Sequence, residues 1–101
     1  MAWQLTLSFD GLTAEDYEAV NAALGLDMAT GAGEWPEGLL RHAAGTSETG
    51  SLVVTEVWRS KADQERFMSG RLGEAMAKAG VSEPPTSVTW VELISEQDLK
   101  H

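Results

Sequence analysis

One histidine lies inside the chain. His42 can take or give a proton near neutral pH, because an unperturbed imidazole titrates there, and the other histidine, His101, is terminal. The competing assignment for His42 is a rim residue or a satisfied core histidine, since it sits in an alternating stretch. Glu56 is the second candidate for catalysis, either as a carboxylate whose pKa burial raises or as the group that orients the imidazole. Their relation depends on register. If Gly45 pairs with Gly50, Arg41 and Glu56 share a sheet face as an ion pair and His42 lies on the other; a one-residue slip sets His42 beside Glu56. Both registers are compatible with the sequence.

Around these two residues the chain offers candidate ligand contacts. Four tryptophans provide flat apolar surfaces, with Trp58 and Trp90 expected as pocket walls ahead of Trp35. Tyr17 and Asn21 are one helical turn apart and, with Arg41, are candidate partners for ligand oxygens; an exposed pair at a helix boundary is the alternative for Tyr17 and Asn21. Glu15, Asp16 and Glu18 read as a solvated acidic face. The scattered carboxylates and single internal histidine match no metal-ligand spacing, and there is no phosphate loop, dinucleotide fingerprint or G-x-S-x-G elbow. No metal and no cofactor are therefore expected.

These residues need elements to hold them. Trp3, Leu5, Leu7 and Phe9 alternate with Gln4, Thr6 and Ser8, which predicts a half-buried first strand. Thr13 with Asp16 three residues on predicts a capped helix carrying Tyr17, Val20 and Leu24 and ending at Gly25. Residues 26–38 show no period and contain three glycines and Pro36, so they read as a long loop of the kind that covers ligands. Leu39 to Ala44 and Leu52 to Trp58 read as hairpin strands. Ser60 and Asp63 start a second helix whose apolar side holds Phe67, Met68, Leu72, Ala75, Met76 and Ala79, with Gly80 at its end. Pro84 and Pro85 stop the helix, and Ser87 to Ile94 forms the last strand. The expected architecture is one α+β domain over residues 1–101, ferredoxin-like βαββαβ with a four-stranded antiparallel sheet, its core at about 3–94 and a polar tail at 95–101.

Composition removes several classes of function. Sixteen acidic against seven basic residues give a net charge of -9, which repels phosphate backbones and anionic membranes. Nucleic-acid and membrane partners are not expected. Zero cysteines exclude disulfides and thiolate chemistry. The first residues lack the pattern of a signal peptide and no apolar run approaches the roughly 20 residues of a membrane span, so the default expectation is a cytoplasmic protein.

The stretch Val57-Trp-Arg-Ser-Lys-Ala-Asp-Gln-Glu-Arg-Phe67, together with Thr13 to Tyr17, Pro36 to His42 and Arg71 to Val81, resembles antibiotic-biosynthesis monooxygenase-like proteins, and in particular a branch of small actinobacterial ones. The resemblance covers about residues 3–94. It implies a dimeric α/β barrel, with a homodimer joined through the sheets, and a small-molecule pocket between sheet and helices. By the same resemblance, Phe67 and Ala77 stand where haem-degrading members carry tryptophan and histidine, and Thr55 and Glu56 stand near Trp58 where quinone-forming oxygenases carry other polar groups. What it implies is cofactor-independent oxygenation, isomerisation or cyclisation of an aromatic or polyketide-like substrate, as in secondary metabolism, with His42 moving the proton and Trp58, Trp90 and Phe67 among the substrate contacts. The alternative is a non-catalytic ligand-binding or accessory protein on the same scaffold.

Overall fold

The computed structural model describes residues 2–97 and 99, so part of the expected polar tail, His101 included, lies outside the described residues. The strand β1 (Trp3–Phe9) leads into helix α1 (Ala14–Leu24), followed by strands β2 (Leu39–Thr46) and β3 (Leu52–Trp58). Helices α2 (Lys61–Phe67) and α3 (Gly73–Ala79) are joined by a π-helical turn at Met68–Leu72, and β4 (Ser87–Glu92) ends the sheet. The strand order is β2-β3-β1-β4 and every neighbouring pair is antiparallel. This is the ferredoxin-like α+β arrangement that the order of elements predicts.

Local chemistry explains the boundaries. At α1 the Thr13 hydroxyl accepts from the Asp16 amide at 3.1 Å while the Asp16 carboxylate accepts from the Thr13 amide at 3.0 Å, so two otherwise unpaired helix-start donors are satisfied. Gly25 closes the helix at φ 78°, where a side chain would be strained. The loop after it is not shapeless: Leu26 bridges to Gly33, and the Arg71 guanidinium donates to the carbonyls of Leu24 and Glu34 at 3.3 and 2.6 Å.

At the start of α2, Asp63 is only 3% exposed and is surrounded by donors. Its carboxylate accepts from Ser60 Oγ at 2.9 Å, from Arg59 Nε and Nη2 at 3.0 and 3.1 Å, and from Arg66. Hydrogen bonds from Arg59 and Ser60 hold its pKa below the usual carboxylate value, outweighing the opposing effect of burial. Gly38, at φ 89°, lies so close that a Cβ there would meet the Asp63 carboxyl carbon at 2.5 Å. The cluster fastens the end of the loop to the helix.

Three expectations are corrected. The second helix is not continuous. Its π turn sets Phe67 and Leu72, five residues apart, on the same cavity wall and leaves Met68, expected on the apolar side, 48% exposed. The last strand stops at Glu92, and Ile94 is 91% exposed. The hairpin strand β2 runs to Thr46, two residues further than its composition suggests. Among the described residues, no helix is long and apolar enough to cross a membrane.

Candidate active site

The register of β2 on β3 decides where the chemistry lies. Leu39 pairs with Trp58 and Arg41 with Val57, so Leu40 is an extra residue, a bulge; beyond it His42 pairs directly with Glu56. Gly45 pairs with Val53, three residues from a Gly45–Gly50 register, and this pairing has the facing expected of a one-residue slip, which brings histidine and carboxylate together. In a regular strand Leu39 and His42, three apart, would face opposite sides of the sheet. With the bulge both line one cavity between sheet and helices.

Glu56 Oε1 accepts from the Trp58 indole N–H at 3.0 Å, and Glu56 Oε2 lies 3.3 Å from His42 Nδ1. Tyr17, on the first turns of α1, brings its hydroxyl to 2.5 Å from His42 Nε2. A carboxylate can only accept, so Nδ1 carries the proton and Nε2 offers its lone pair to the Tyr17 O–H; the tautomer is assigned from its partners. The result is a hydrogen-bonded row, Trp58–Glu56–His42–Tyr17, reaching from a fully buried indole to the cavity wall. Burial raises the Tyr17 pKa above 10.0; the Asn21 amide, close to the hydroxyl but without a completed hydrogen bond to it, opposes the rise and the Glu56 charge adds to it. Tyr17 is therefore a neutral hydroxyl at physiological pH.

The cavity has a volume of about 100 Å³, room for several waters at roughly 10–15 Å³ each. Its wall is mostly aliphatic and aromatic, with Tyr17, Asn21, His42, Glu56 and Gln64 among its polar members and no lysine or arginine among the described residues. Asn21 is 6% exposed, and its Nδ2 has no hydrogen-bond partner.

Of the expected site residues, Tyr17, Asn21, His42, Glu56 and Phe67 meet on this wall. Trp58 lies behind it, wholly buried, tilted at 40° against the Phe67 ring 5.9 Å away and touching the site through Glu56. Trp90 is elsewhere, edge-on to Trp3 at 6.4 Å beneath the Lys61 ammonium. Arg41 is also outside the cavity: the bulge turns it to the other sheet face, where it pairs with Glu96 at 2.8 Å. Trp35 is the residue that sequence reasoning ranked too low. Its ring lies 5.5 Å from that of His42, closing the cavity from the loop, and its indole N–H is fixed to the Gly31 carbonyl at 2.8 Å. The one available signal was that an unstructured stretch of this length tends to cover a ligand. Among the described residues, no three His, Cys, Asp or Glu side chains converge as a metal site.

This architecture has solved counterparts. A candidate antibiotic biosynthesis monooxygenase from Chloroflexus aurantiacus superposes with a TM-score of 0.66 at 13% identity, covering 99% of this chain and 100% of that one. The protein shares the antibiotic biosynthesis monooxygenase-like fold. The Rv0793 protein of Mycobacterium tuberculosis matches at 0.65 with 18% identity, over 97% of this chain and 100% of its own. SnoaB of Streptomyces nogalater, a cofactor-independent oxygenase seen in a mutant form, matches at 0.59 with 19% identity, over 94% and 95% of the two chains. Comparison with family models and with curated proteins gave no match.

Proposed function

We propose that the protein is a cofactor-independent enzyme that removes a proton from a small neutral aromatic or polyketide-like substrate, the opening step common to oxygenation, isomerisation and cyclisation. The observation that carries this reading is the row Glu56–His42–Tyr17 ending in an apolar cavity. As Tyr17 passes its proton to His42 Nε2, its oxygen takes one from the substrate; the substrate becomes an anion, Tyr17 is restored and His42 becomes an imidazolium stabilised by Glu56. The raised Tyr17 pKa means that the proton travels through the hydroxyl in one relay, with no stored phenolate. The fold shared with a cofactor-independent oxygenase supports the same chemistry.

The test is exchange of the α-protons of 2-tetralone in D₂O, followed by NMR. Wild-type protein is expected to accelerate exchange and His42→Gln to lower the acceleration by about 10²-fold. Equal rates with the two proteins would sink the relay. A protein that only binds ligands would hold 2-tetralone without exchanging it.

The proposed working unit is a homodimer joined through the sheet face opposite the helices. In a single chain Val91 on that face is 43% exposed, and Leu40, at the bulge on the opposite edge strand, is 55% exposed. Light scattering at micromolar concentration that gave a stable mass near 10.9 kDa would refute the dimer.

A further inference from the structure

We infer that Asn21 is the recognition point for an uncharged acceptor oxygen, such as a ketone carbonyl, on the ligand of this cavity. The inference rests on the cavity being the substrate site, as proposed above, and adds what the substrate must carry.

The Asn21 side chain carries an unmet hydrogen bond. A buried amide donor without a partner is destabilising by about 1–3 kcal/mol, so folded proteins rarely keep one without a use. Asn21 is buried, lines the cavity, and its Nδ2 is unpaired. Nothing in helix α1 requires an amide there. The helix is capped by Thr13, Asp16 and Gly25, and the backbone carbonyl of Asn21, not its side chain, serves the C-terminal turn by accepting from Leu26 at 3.0 Å. An apolar side chain of the same size would fill the position next to Val20 and Leu24 without leaving an orphan donor.

The surroundings define the partner. Asn21 stands one turn from Tyr17, whose hydroxyl already donates to His42, so the free donor beside the relay is the amide. A ligand oxygen that accepts from Asn21 is held against Tyr17 as the neighbouring proton leaves, and the amide meets the negative charge that then develops on that oxygen. A ligand that is already anionic is disfavoured: the charged residues on the wall are Asp16 and Glu56, with no cation to balance them among the described residues. The geometry thus points to a neutral, largely apolar molecule with a carbonyl or equivalent acceptor. A bare hydrocarbon lacks the acceptor and a carboxylate brings a second uncompensated charge, so both are bound less well.

Acetophenone, ethylbenzene and benzoate separate these classes with one ring size, and their binding is read without following proton transfer. In ¹⁵N-labelled wild-type protein, acetophenone is expected to shift the side-chain amide signals of Asn21 and ethylbenzene to leave them in place, while benzoate binds more weakly than either. In Asn21→Leu, the affinity ratio of acetophenone to ethylbenzene is expected to fall about tenfold, with the unliganded variant melting no lower than wild type. Asn21 signals that respond alike to acetophenone and ethylbenzene in the wild type, a measurement that needs no variant, would overturn the inference. So would an unchanged ratio in a folded Asn21→Leu. Either result leaves the Tyr17–His42–Glu56 relay standing, whereas binding of none of the three probes would remove the cavity as a ligand site and both readings with it.

Discussion

Asp63 and Glu56 are both buried carboxylates within one small domain, 3% and 8% exposed, yet they are compensated in opposite ways. Asp63 faces two guanidiniums that are always charged, and they hold it ionised and fixed. Glu56 faces an indole N–H and an imidazole. Neither partner carries a permanent charge, and an imidazole can both take and give a proton. A buried acid tied to permanent cations is a fastener; one tied to a titratable neighbour can support a moving proton.

The largest effect expected from this contrast is a double dissociation. Glu56→Gln is expected to reduce 2-tetralone exchange by about 10²-fold with little change in melting temperature, whereas Asp63→Asn is expected to lower the melting temperature on the order of 10 °C and leave exchange per folded molecule nearly intact. Melting curves beside exchange rates decide it, and the contrast fails if both substitutions act on the same quantity. The pH dependence has a definite sign. Because the folded Asp63 pKa is lowered, its contribution to stability is complete above the unfolded value of about 3.8 and is lost as the pH falls below it through the folded pKa. Acid unfolding in Asp63→Asn is expected to lack that component.

A smaller effect concerns Tyr17, the one tyrosine of the chain, so phenolate absorbance reports this hydroxyl alone. Its titration midpoint is expected above 10.0, to fall in Glu56→Gln, which removes the nearby negative charge, and to rise in Asn21→Leu, which removes the opposing amide. Since the folded pKa is raised, the associated stability is full below pH 10.0 and declines as the pH rises through the folded value. Tyr17→Phe is expected to abolish that decline. A midpoint at or below 10.0 would show that the hydroxyl is not buried against Glu56.

The smallest effect tests the loop. Arg71→Gln removes the cation that holds the Leu24 and Glu34 carbonyls, and the Trp35 indole N–H is expected to exchange with solvent roughly 2- to 5-fold faster while the Glu56 and Asp63 clusters keep their protection. An unchanged Trp35 rate would mean that Gly31 alone fixes the lid.

Where pattern and local chemistry coincide, the sequence was sufficient. Thr13, Asp16 and Gly25 delimit α1, Leu52 to Trp58 forms β3 as its composition suggests, and the chemical candidates Tyr17, Asn21, His42, Glu56 and Phe67 all reach the cavity. Long-range geometry carried no such mark. The bulge at Leu40 contains neither glycine nor proline, so nothing in the residue types marks the observed register, and Arg41 stayed a candidate ligand contact beside the catalytic candidate His42. The π turn is equally silent in the apolar pattern, because Phe67, Met68, Leu72, Ala75 and Met76 also fit an ordinary helix; Gly70 and Gly73 are the only local hint. Trp35 owes its place to a loop closed by Arg71, which is distant in the chain, a contact that no periodicity encodes.

The extra residue at Leu40 also works as a phase shifter. Strand side chains alternate with a period of two, so inserting one residue inverts the facing of everything on one side of it relative to the other. Leu39 and its partner Trp58 belong to one phase, His42 to the other. A deletion of Leu40 leaves Leu39 and His42 two positions apart, so a regular strand still faces both into the cavity, Leu39 on Trp58 and His42 on Glu56; straightening the bulge with every residue kept puts them three apart, so that either Leu39 turns outward or His42 does and the row of hydrogen bonds is cut. Whether residues 39 and 42 share a face is thus set by the bulge and by no single side chain: a ladder without it cuts the row from Trp58 to Tyr17 while every residue of that row stays in the chain.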